Sequence, residues 1–174
     1  MAMRKLGLKQ VVLIPSGRPP HKPAGVVSPA RDRLLMTRLA FRGMRNVEVS
    51  QIEIKRGGIS YTIDTVKAMR RRFPGRELFF IVGADTARHI PTWKRYRELL
   101  RLVKFAVMAR PGCRLRAIRG YEGRFVLCRA RGLPLSSNSL RRTLARGIIP
   151  ARSIPQSVAR HIRARGLYRK GRRA

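Results

Sequence analysis

Two segments in the first half of the sequence combine side chains that bind anions. Arg18-Pro-Pro-His21-Lys22 is a proline-stiffened loop with three potential phosphate donors, and a stiff loop loses less entropy when it grips an anion. Gly57-Gly58-Ile59-Ser60-Tyr61-Thr62 is a flexible approach to a predicted helix, where backbone N–H groups favour an anionic or carboxylate-bearing ligand. Taken alone, the first segment is equally typical of a solvated turn, and the second of ordinary N-capping.

Two further segments carry ring-binding and phosphate-binding side chains. Asp85 follows a continuously apolar run and can accept hydrogen bonds from a ribose, while Trp93 can stack on an aromatic ring. The ordinary role of a single tryptophan is hydrophobic core. The segment Ser136-Ser137-Asn138-Ser139-Leu140-Arg141 places hydroxyls and an arginine in the first turn of a predicted helix, a combination that suits a triphosphate. Helix capping accounts for one of these serines.

The predicted strands and helices determine where these segments lie. Apolar and alternating runs predict strands at 11–14, 47–54, 78–82, 105–108 and 125–127. Helical spacing predicts helices at 29–42, 62–73, 94–102, 137–147 and 155–166. Ser28 precedes the first, Thr62 is expected to cap the second, Ser136 or Ser137 the fourth, and Ser153 stands at capping-box spacing from Gln156 before the fifth. This alternation predicts an α/β fold with a mostly parallel sheet covered by helices on both faces. Ligands bind at the carboxyl ends of such strands, so all four segments are expected at one edge.

Size and composition restrict the class of protein. With 174 residues, of which 44% are hydrophobic, the chain is expected to form one domain over 1–168 with a basic tail at 169–174. No apolar stretch is long enough for a membrane helix, and the first ten residues lack the apolar centre of a secretory signal. The sequence therefore predicts a cytoplasmic protein without a membrane partner.

The charge is unusual, since 41 Lys and Arg against 8 Asp and Glu give a formal net charge of +33. Such a charge attracts polyanions through sequence-independent phosphate contacts, so nucleic acid is a possible nonspecific partner. The alternative is that arginines simply occupy solvated faces, because they are spread among apolar residues along the whole chain. The same positive electrostatic field also attracts small phosphorylated substrates.

The cysteines and two of the histidines give no sign of a metal site. Cys113 and Cys128 have no C-x-x-C spacing, so we interpret them as ordinary thiols in a reducing compartment. His89 and His161 have no partner at a spacing typical of metal ligands or a catalytic triad, and we interpret both as structural or surface residues.

Read in order, the segments resemble bacterial nicotinate-nucleotide adenylyltransferases over nearly the full length. The matching stretches are IPSGRPPHKP, the next helix with Arg33 and Met36, RGGISYTIDTV, FIVGADTARHIPTW, ARPG, LSSNSLR and GLYR. The resemblance implies a Rossmann-like nucleotidyltransferase fold. It also implies transfer of an adenylyl group from ATP to nicotinate mononucleotide, giving deamido-NAD and pyrophosphate in NAD biosynthesis, with Mg²⁺ accompanying ATP as cofactor.

The resemblance also implies roles for nine residues of this sequence. On the mononucleotide side these are His21 and Lys22 near the phosphates, Tyr61 and Thr62 near the nicotinate carboxylate, Asp85 near the mononucleotide and Trp93 on the pyridine ring. On the ATP side, Ser136, Ser137 and Arg141 would hold the phosphates.

The sequence departs from the family at two points. The family begins with a strand and a G-x-F-x-P-x-H-x-G-H loop, whose histidines bind the ATP phosphates, and no such segment occurs here. We therefore assign no catalytic residue, and we expect the absence of that central strand to leave unpaired sheet edges and exposed apolar surface. Asn138 stands where the family usually has threonine, which predicts weakened phosphate binding.

Three hypotheses follow. The protein is a complete adenylyltransferase whose true start lies upstream, an inactive truncated relic, or an RNA-binding or other polyanion-binding protein on the same scaffold. The first is favoured because the sequence retains the motifs on the substrate side.

Overall fold

The computed structural model of the chain describes residues 2–20, 28–109, 118–129, 137–151 and 153–169. The chain divides into two compact units. Unit 1 comprises Met1–Lys9 and Ile59–Gly132, and unit 2 comprises Gln10–Gly58 and Leu133–Ala174. A single domain over 1–168 stays a prediction. Of the basic tail predicted at 169–174, only Arg169 lies within the described residues.

The described residues alternate between short strands and helices. In chain order these are α1 (Ala2–Lys5), β1 (Val11–Leu13), α2 (Ala30–Ala40), β2 (Val47–Val49), α3 (Ile52–Arg56), α4 (Thr62–Arg72), β3 (Phe79–Gly83), α5 (Ala84–Ala87), α6 (Tyr96–Leu102), β4 (Lys104–Ala109), β5 (Phe125–Arg129), α7 (Ser137–Ala145) and α8 (Gln156–Ala164). Two 3-10 helices cover Ile90–Thr92 and Glu122–Arg124.

Unit 1 contains a parallel sheet in the order β3-β4-β5. Phe79 of β3 pairs with Lys104 of β4, and Phe105 pairs with Phe125 of β5. Strand β4 lies in the middle, and its residues Phe105, Ala106 and Val107 are completely buried. A continuously apolar run is typical of a parallel strand that is covered on both faces.

Helices α4 and α6 pack against the buried core of unit 1. Ile63 and Val66 lie three residues apart on α4, and Leu99 and Leu100 come from α6; all four belong to the same core cluster. This spacing places Ile63 and Val66 on one face of the helix. A salt bridge of 2.7 Å between Lys67 and the carboxylate of Glu98 also joins the two helices.

Unit 2 contains the parallel pair β1 and β2. Helix α2 packs against α8, and Leu144 of α7 joins Val158, Ala159 and Ile162 of α8 in a second buried cluster. A hydrogen bond of 3.4 Å from the Ser157 hydroxyl to the Leu39 carbonyl also links α8 to α2. The α/β class with parallel strands is thereby confirmed.

Most predicted elements are present within a few residues of the expected bounds, but the predicted strand at 47–54 is wrong in its second half. The strand ends at Val49, and α3 begins at Ile52. Apolar residues at Ile52 and Ile54 fit a strand locally. In the structure, Glu53 between them is buried and accepts a hydrogen bond of 3.3 Å from the backbone N–H of Gly17. This long-range contact has no local sequence signal.

The helix caps predicted at Thr62 and Ser153 are wrong. Tyr61, not Thr62, precedes α4, and its side chain makes no capping hydrogen bond. Pro29 precedes α2, while the hydroxyl of Ser28 lies 3.2 Å from the hydroxyl of Tyr168. Pro155 precedes α8, again without a side-chain cap, so Ser153 forms no capping box there.

Strand β3 lies at one edge of its sheet and β1 at one edge of the other. Ile81 in β3 is 38% exposed, which is unusual for a large apolar residue in mid-strand.

Cys128 on β5 is free and buried, in agreement with an ordinary core thiol, whereas Cys113 lies outside the described residues. None of the helices in the described part of the chain has the length and apolar character that a membrane crossing requires.

Candidate active site

The amino end of α4 and the segment after β3 approach one another in unit 1. Lys94 Nζ lies 3.9 Å from the centroid of the Tyr61 ring, and this is a cation–π contact. Tyr61 is half-buried against the core cluster, while Lys94 is exposed. Thr62 is the first residue of α4 and is half-buried. An exposed cation thus stands beside the positive end of a helix dipole, where an anionic group is favoured.

Trp93 adjoins this contact because it precedes Lys94 in the chain. Its ring packs edge-on against Phe80 at a centroid distance of 5.8 Å and against Phe105 at 6.3 Å. Trp93 is half-buried. The structure therefore gives Trp93 the usual core role of a tryptophan, and stacking of its ring on a ligand stays a prediction.

Asp85 lies in the short helix α5, directly after the carboxyl end of β3, and it is exposed. The position agrees with the rule that ligands of parallel sheets bind beyond the carboxyl ends of the strands. His89 precedes the 3-10 helix Ile90–Thr92 and is exposed, which agrees with its interpretation as a surface residue.

In unit 2, the guanidinium of Arg33 on α2 binds three backbone carbonyls. Its Nε donates to the carbonyl of Ser28 at 3.0 Å, one terminal nitrogen donates to Gly17 at 2.8 Å, and the other donates to Ser16. Ser16 and Gly17 follow β1, and Ser28 precedes α2. One side chain therefore fixes both ends of the chain segment that carries Arg18, His21 and Lys22.

The surroundings of Arg33 have opposing effects on the charge of its guanidinium. Burial lowers the pKa of its guanidinium, while the nearby Tyr168 and Glu53 act in the opposite direction. Arginine remains charged even so, because its ordinary pKa lies far above neutrality. Glu53 also accepts the hydrogen bond from the Gly17 N–H, so the same backbone turn is held through its carbonyl and its amide.

Two of the predicted phosphate-binding segments are only partly described. His21, Lys22 and Ser136 lie outside the described residues. Ser137 is the first residue of α7 in the structure and is exposed. A terminal nitrogen of Arg141 donates to the side-chain oxygen of Asn138 at 3.2 Å, so the residue that departs from the family pattern orients the arginine.

His161 has a partner that its sequence spacing did not indicate. Its Nε2 donates to Asp32 Oδ1 at 2.9 Å, and both side chains are largely buried. Arg165 Nε lies 3.4 Å from the same oxygen but is mostly exposed. The contact joins α8 to α2 next to Arg33, which supports the structural interpretation of His161.

The described residues contain no group of three His, Cys, Asp or Glu side chains that could hold a metal ion. Mg²⁺ commonly keeps several waters and binds through substrate phosphates with one or two carboxylates, instead of through a dedicated protein cage. The described side chains therefore fit a magnesium ion only as a complex with a phosphorylated substrate.

Each unit brings together part of the predicted site. Unit 1 gathers Tyr61 and Trp93 around Lys94, and unit 2 holds the ends of the His21 loop through Arg33. The sequence did not single out Lys94, which its contact with Tyr61 makes a candidate binding residue; its position next to Trp93 was the available signal. That all four segments lie at one edge stays a prediction, because they belong to both units.

A family model described as cytidylyltransferase-like matches residues 1–143 of the chain. Together with the parallel α/β fold, this match defines a protein of the cytidylyltransferase-like class. A relative from Saccharopolyspora erythraea, described as a probable nicotinate-nucleotide adenylyltransferase, is 37% identical over 95% of this chain and 78% of its own length. A relative of the same description from Frankia casuarinae is 43% identical over 92% of this chain and 85% of its own length. The chain therefore belongs to the nicotinate-nucleotide adenylyltransferase family.

The fold agrees with that assignment. The Plasmodium falciparum nicotinic acid mononucleotide adenylyltransferase complexed with NaAD superposes with a TM-score of 0.74, over 97% of this chain and 88% of that chain. The two sequences are 15% identical, so this likeness concerns the fold alone.

Proposed function

We propose that this protein transfers the adenylyl group of ATP to nicotinate mononucleotide, giving deamido-NAD and pyrophosphate in cytoplasmic NAD biosynthesis. The observation that carries the proposal is the family relationship, which extends over more than nine-tenths of the chain at 37–43% identity for the two relatives above. The six residues proposed for the mononucleotide and the three proposed for ATP all lie within the matching segments.

The reaction is a phosphoryl substitution without a covalent enzyme intermediate. A phosphate oxygen of the mononucleotide attacks the α-phosphorus of ATP, a new P–O bond forms, and the bond to the β-phosphate oxygen breaks to release pyrophosphate. The protein contributes by aligning the two phosphates and neutralising their charge, so no protein nucleophile is required. We assign binding roles, and no catalytic residue, to this sequence.

On the mononucleotide side, the contact between Lys94 and Tyr61 supports recognition of a carboxylate. The backbone N–H groups of Tyr61 and Thr62 at the start of α4 would bind the nicotinate carboxylate, and the ammonium of Lys94 would add a charge. A nicotinamide ring carries a neutral amide at that position and would lose this attraction. Trp93 would stack on the pyridine ring, and Asp85 would bind the ribose.

On the ATP side, Ser136, Ser137 and Arg141 would bind the phosphates, and the amide of Asn138 orients Arg141. His21 and Lys22 would add positive charge near the reacting phosphates, and Arg33 supports the ends of their loop. Mg²⁺ would enter bound to ATP, where it neutralises phosphate charge. These assignments are proposals on the family pattern.

The first experiment measures the reaction in protein purified from its natural source, with the intact mass determined on the same sample. ATP, Mg²⁺ and nicotinate mononucleotide should give deamido-NAD and pyrophosphate in equal amounts. Nicotinamide mononucleotide serves as the alternative substrate. Absence of both products in folded protein of known mass would overturn the proposal and favour an inactive relic.

Lys94→Gln gives a sharper test of carboxylate recognition. Removing the ammonium should raise the KM for nicotinate mononucleotide and reduce the preference over the nicotinamide form. Lys55→Gln, at an exposed position on α3, removes the same charge elsewhere and is the matched control. Equal effects of the two substitutions on KM would show that Lys94 does not recognise the carboxylate.

A further inference from the structure

A concave site lies in unit 1 at the amino ends of β4 and β5. The groove has a volume of about 350 Å³, near the lower end of the range for small-ligand pockets. Its walls come from the end of α6, the first residue of β4 and the turn before β5. The lining residues are Arg101, Lys104, Gly120, Tyr121, Glu122, Gly123 and Arg124.

Among the described residues, the groove is lined by three cations and by one carboxylate, that of Glu122, so its net charge is positive. Glu122 accepts a hydrogen bond of 2.9 Å from the backbone N–H of Gly120, and its pKa is lowered by hydrogen bonds to its own backbone and to that amide. Lys104 pairs at 2.5 Å with Glu77. Arg101 and Arg124 form no ion pair with any carboxylate of the described residues. Two cations therefore remain available to an anionic ligand.

Aromatic rings accompany these cations. Tyr121 lines the groove and packs partly against the core cluster, so its ring is supported from behind. Arg97 lies one helical turn before Arg101 on α6, donates to the Tyr96 hydroxyl at 3.2 Å and stands 5.8 Å from the centroid of that ring. The hydrogen bond to Tyr96 raises the pKa of Arg97, so this guanidinium stays charged beside the Tyr96 ring.

We propose that this groove, with Arg97, Arg101, Tyr121 and Arg124, binds single-stranded RNA through phosphate contacts and base stacking. Arginines provide the charge for the phosphates, and the half-buried ring of Tyr121 at the groove provides a platform for an unstacked base. A duplex keeps its bases stacked inside the helix and cannot use such a ring. The row of arginines on α6 continues beyond the groove, which suits a strand better than one isolated phosphate.

The groove is distinct from the proposed mononucleotide site of unit 1. Asp85 follows the carboxyl end of β3, and Trp93 follows Asp85, whereas Lys104 and Arg124 stand at the amino ends of β4 and β5. Because the three strands are parallel, the two sites lie at opposite ends of the strands, one at the carboxyl ends and the other at the amino ends. Binding at the groove therefore does not require the substrates or the adenylyl transfer.

The test compares two variants that remove equal charge. Binding of a labelled oligouridylate of about 12 nucleotides is measured by fluorescence anisotropy over a range of salt concentrations. Arg101→Gln combined with Arg124→Gln should lower the affinity at least tenfold and reduce the salt slope by about 1.4, or 0.7 for each lost contact. Arg42→Gln combined with Arg45→Gln, at exposed positions in unit 2, should change affinity less than twofold.

Two further measurements distinguish a site for single-stranded RNA from other sources of binding. Tyr121→Leu keeps an apolar side chain on the core and should lower the affinity about fivefold or more through lost stacking. Adenylyl transfer should be unchanged in the Arg101 and Arg124 variant. Equal weakening by both charge variants would assign the binding to net charge and overturn the proposal. If AMP or inorganic phosphate displaced the RNA at equal phosphate concentration, the groove would be a site for small anions, and the proposal of RNA binding would be overturned.

Discussion

The imidazole of His161 donates a hydrogen bond of 2.9 Å to the carboxylate of Asp32, although 129 residues separate the two in the chain. The pair joins α8 to α2 in unit 2, and both side chains are largely buried. Asp32 immediately precedes Arg33, whose guanidinium fixes both ends of the loop with His21 and Lys22. The contact thus links the last helix of the chain to the helix that supports a proposed phosphate-binding loop.

Replacing Asp32 by alanine should destabilise unit 2 by about 1–3 kcal/mol, because the buried His161 N–H loses its acceptor. The measurement is the urea dependence of the far-ultraviolet circular dichroism. Arg165→Gln is the control, since that side chain is mostly exposed and should contribute less than about 1 kcal/mol. Equal losses in the two variants would contradict a dominant role for the imidazole contact.

Arg33→Lys should lower kcat/KM for adenylyl transfer by at least about tenfold while preserving the charge. An ammonium cannot reproduce the planar set of hydrogen bonds to Ser16, Gly17 and Ser28, so the loop ends lose their fixed position. Arg38→Lys, at an exposed position on the same helix, should leave kcat/KM unchanged. Both variants are assayed at a temperature where circular dichroism shows native structure. Normal kcat/KM in folded Arg33→Lys would remove the positioning role.

Trp93→Ala should raise the KM for nicotinate mononucleotide by about tenfold or more, because the pyridine ring loses its stacking partner. The substitution also removes packing against Phe80 and Phe105, so Trp93→Phe provides an intermediate that keeps a ring on this surface. The KM for ATP should remain close to that of the unaltered protein. An unchanged mononucleotide KM in the alanine variant would contradict the stacking assignment.

Glu98→Gln should lower the thermal midpoint of unfolding at neutral pH and have little effect in strong acid. The hydrogen bond from Lys67, together with the nearby Arg95, holds the pKa of Glu98 below its ordinary value. A lowered folded-state pKa stabilises the protein above the unfolded-state pKa, and the stabilisation is lost as pH falls through the folded-state pKa. Scanning calorimetry of both proteins across this acid range checks the sign. A difference that grows in acid would contradict it.

The sequence predicted correctly those elements that depend on local patterns of side chains. It failed where the structure depends on contacts between residues far apart in the chain. The apolar run at 105–108 predicted β4 because a buried parallel strand is apolar throughout, and this property is local. The apolar run at 78–82 likewise predicted β3, although Val82 is the one buried residue of that strand. The pattern at 47–54 gave the wrong element after Val49, because the helix there buries Glu53 against the N–H of Gly17, a contact with a residue 36 positions away that the local pattern does not contain. The caps predicted at Thr62 and Ser153 were wrong because a hydroxyl near the start of a helix makes a cap possible but does not ensure its geometry.

The sequence by itself determined the parallel α/β class and the order of the segments that the family shares, because both depend on local periodicity and short motifs. Only the tertiary structure decided that Lys94 lies against Tyr61, that Arg33 joins Ser16 and Gly17 to Ser28, and that Asp32 is the partner of His161. Each of these contacts forms between residues that folding brings close from distant positions. Neither residue type nor spacing along the chain specifies such a distance, because it depends on how whole helices and strands pack.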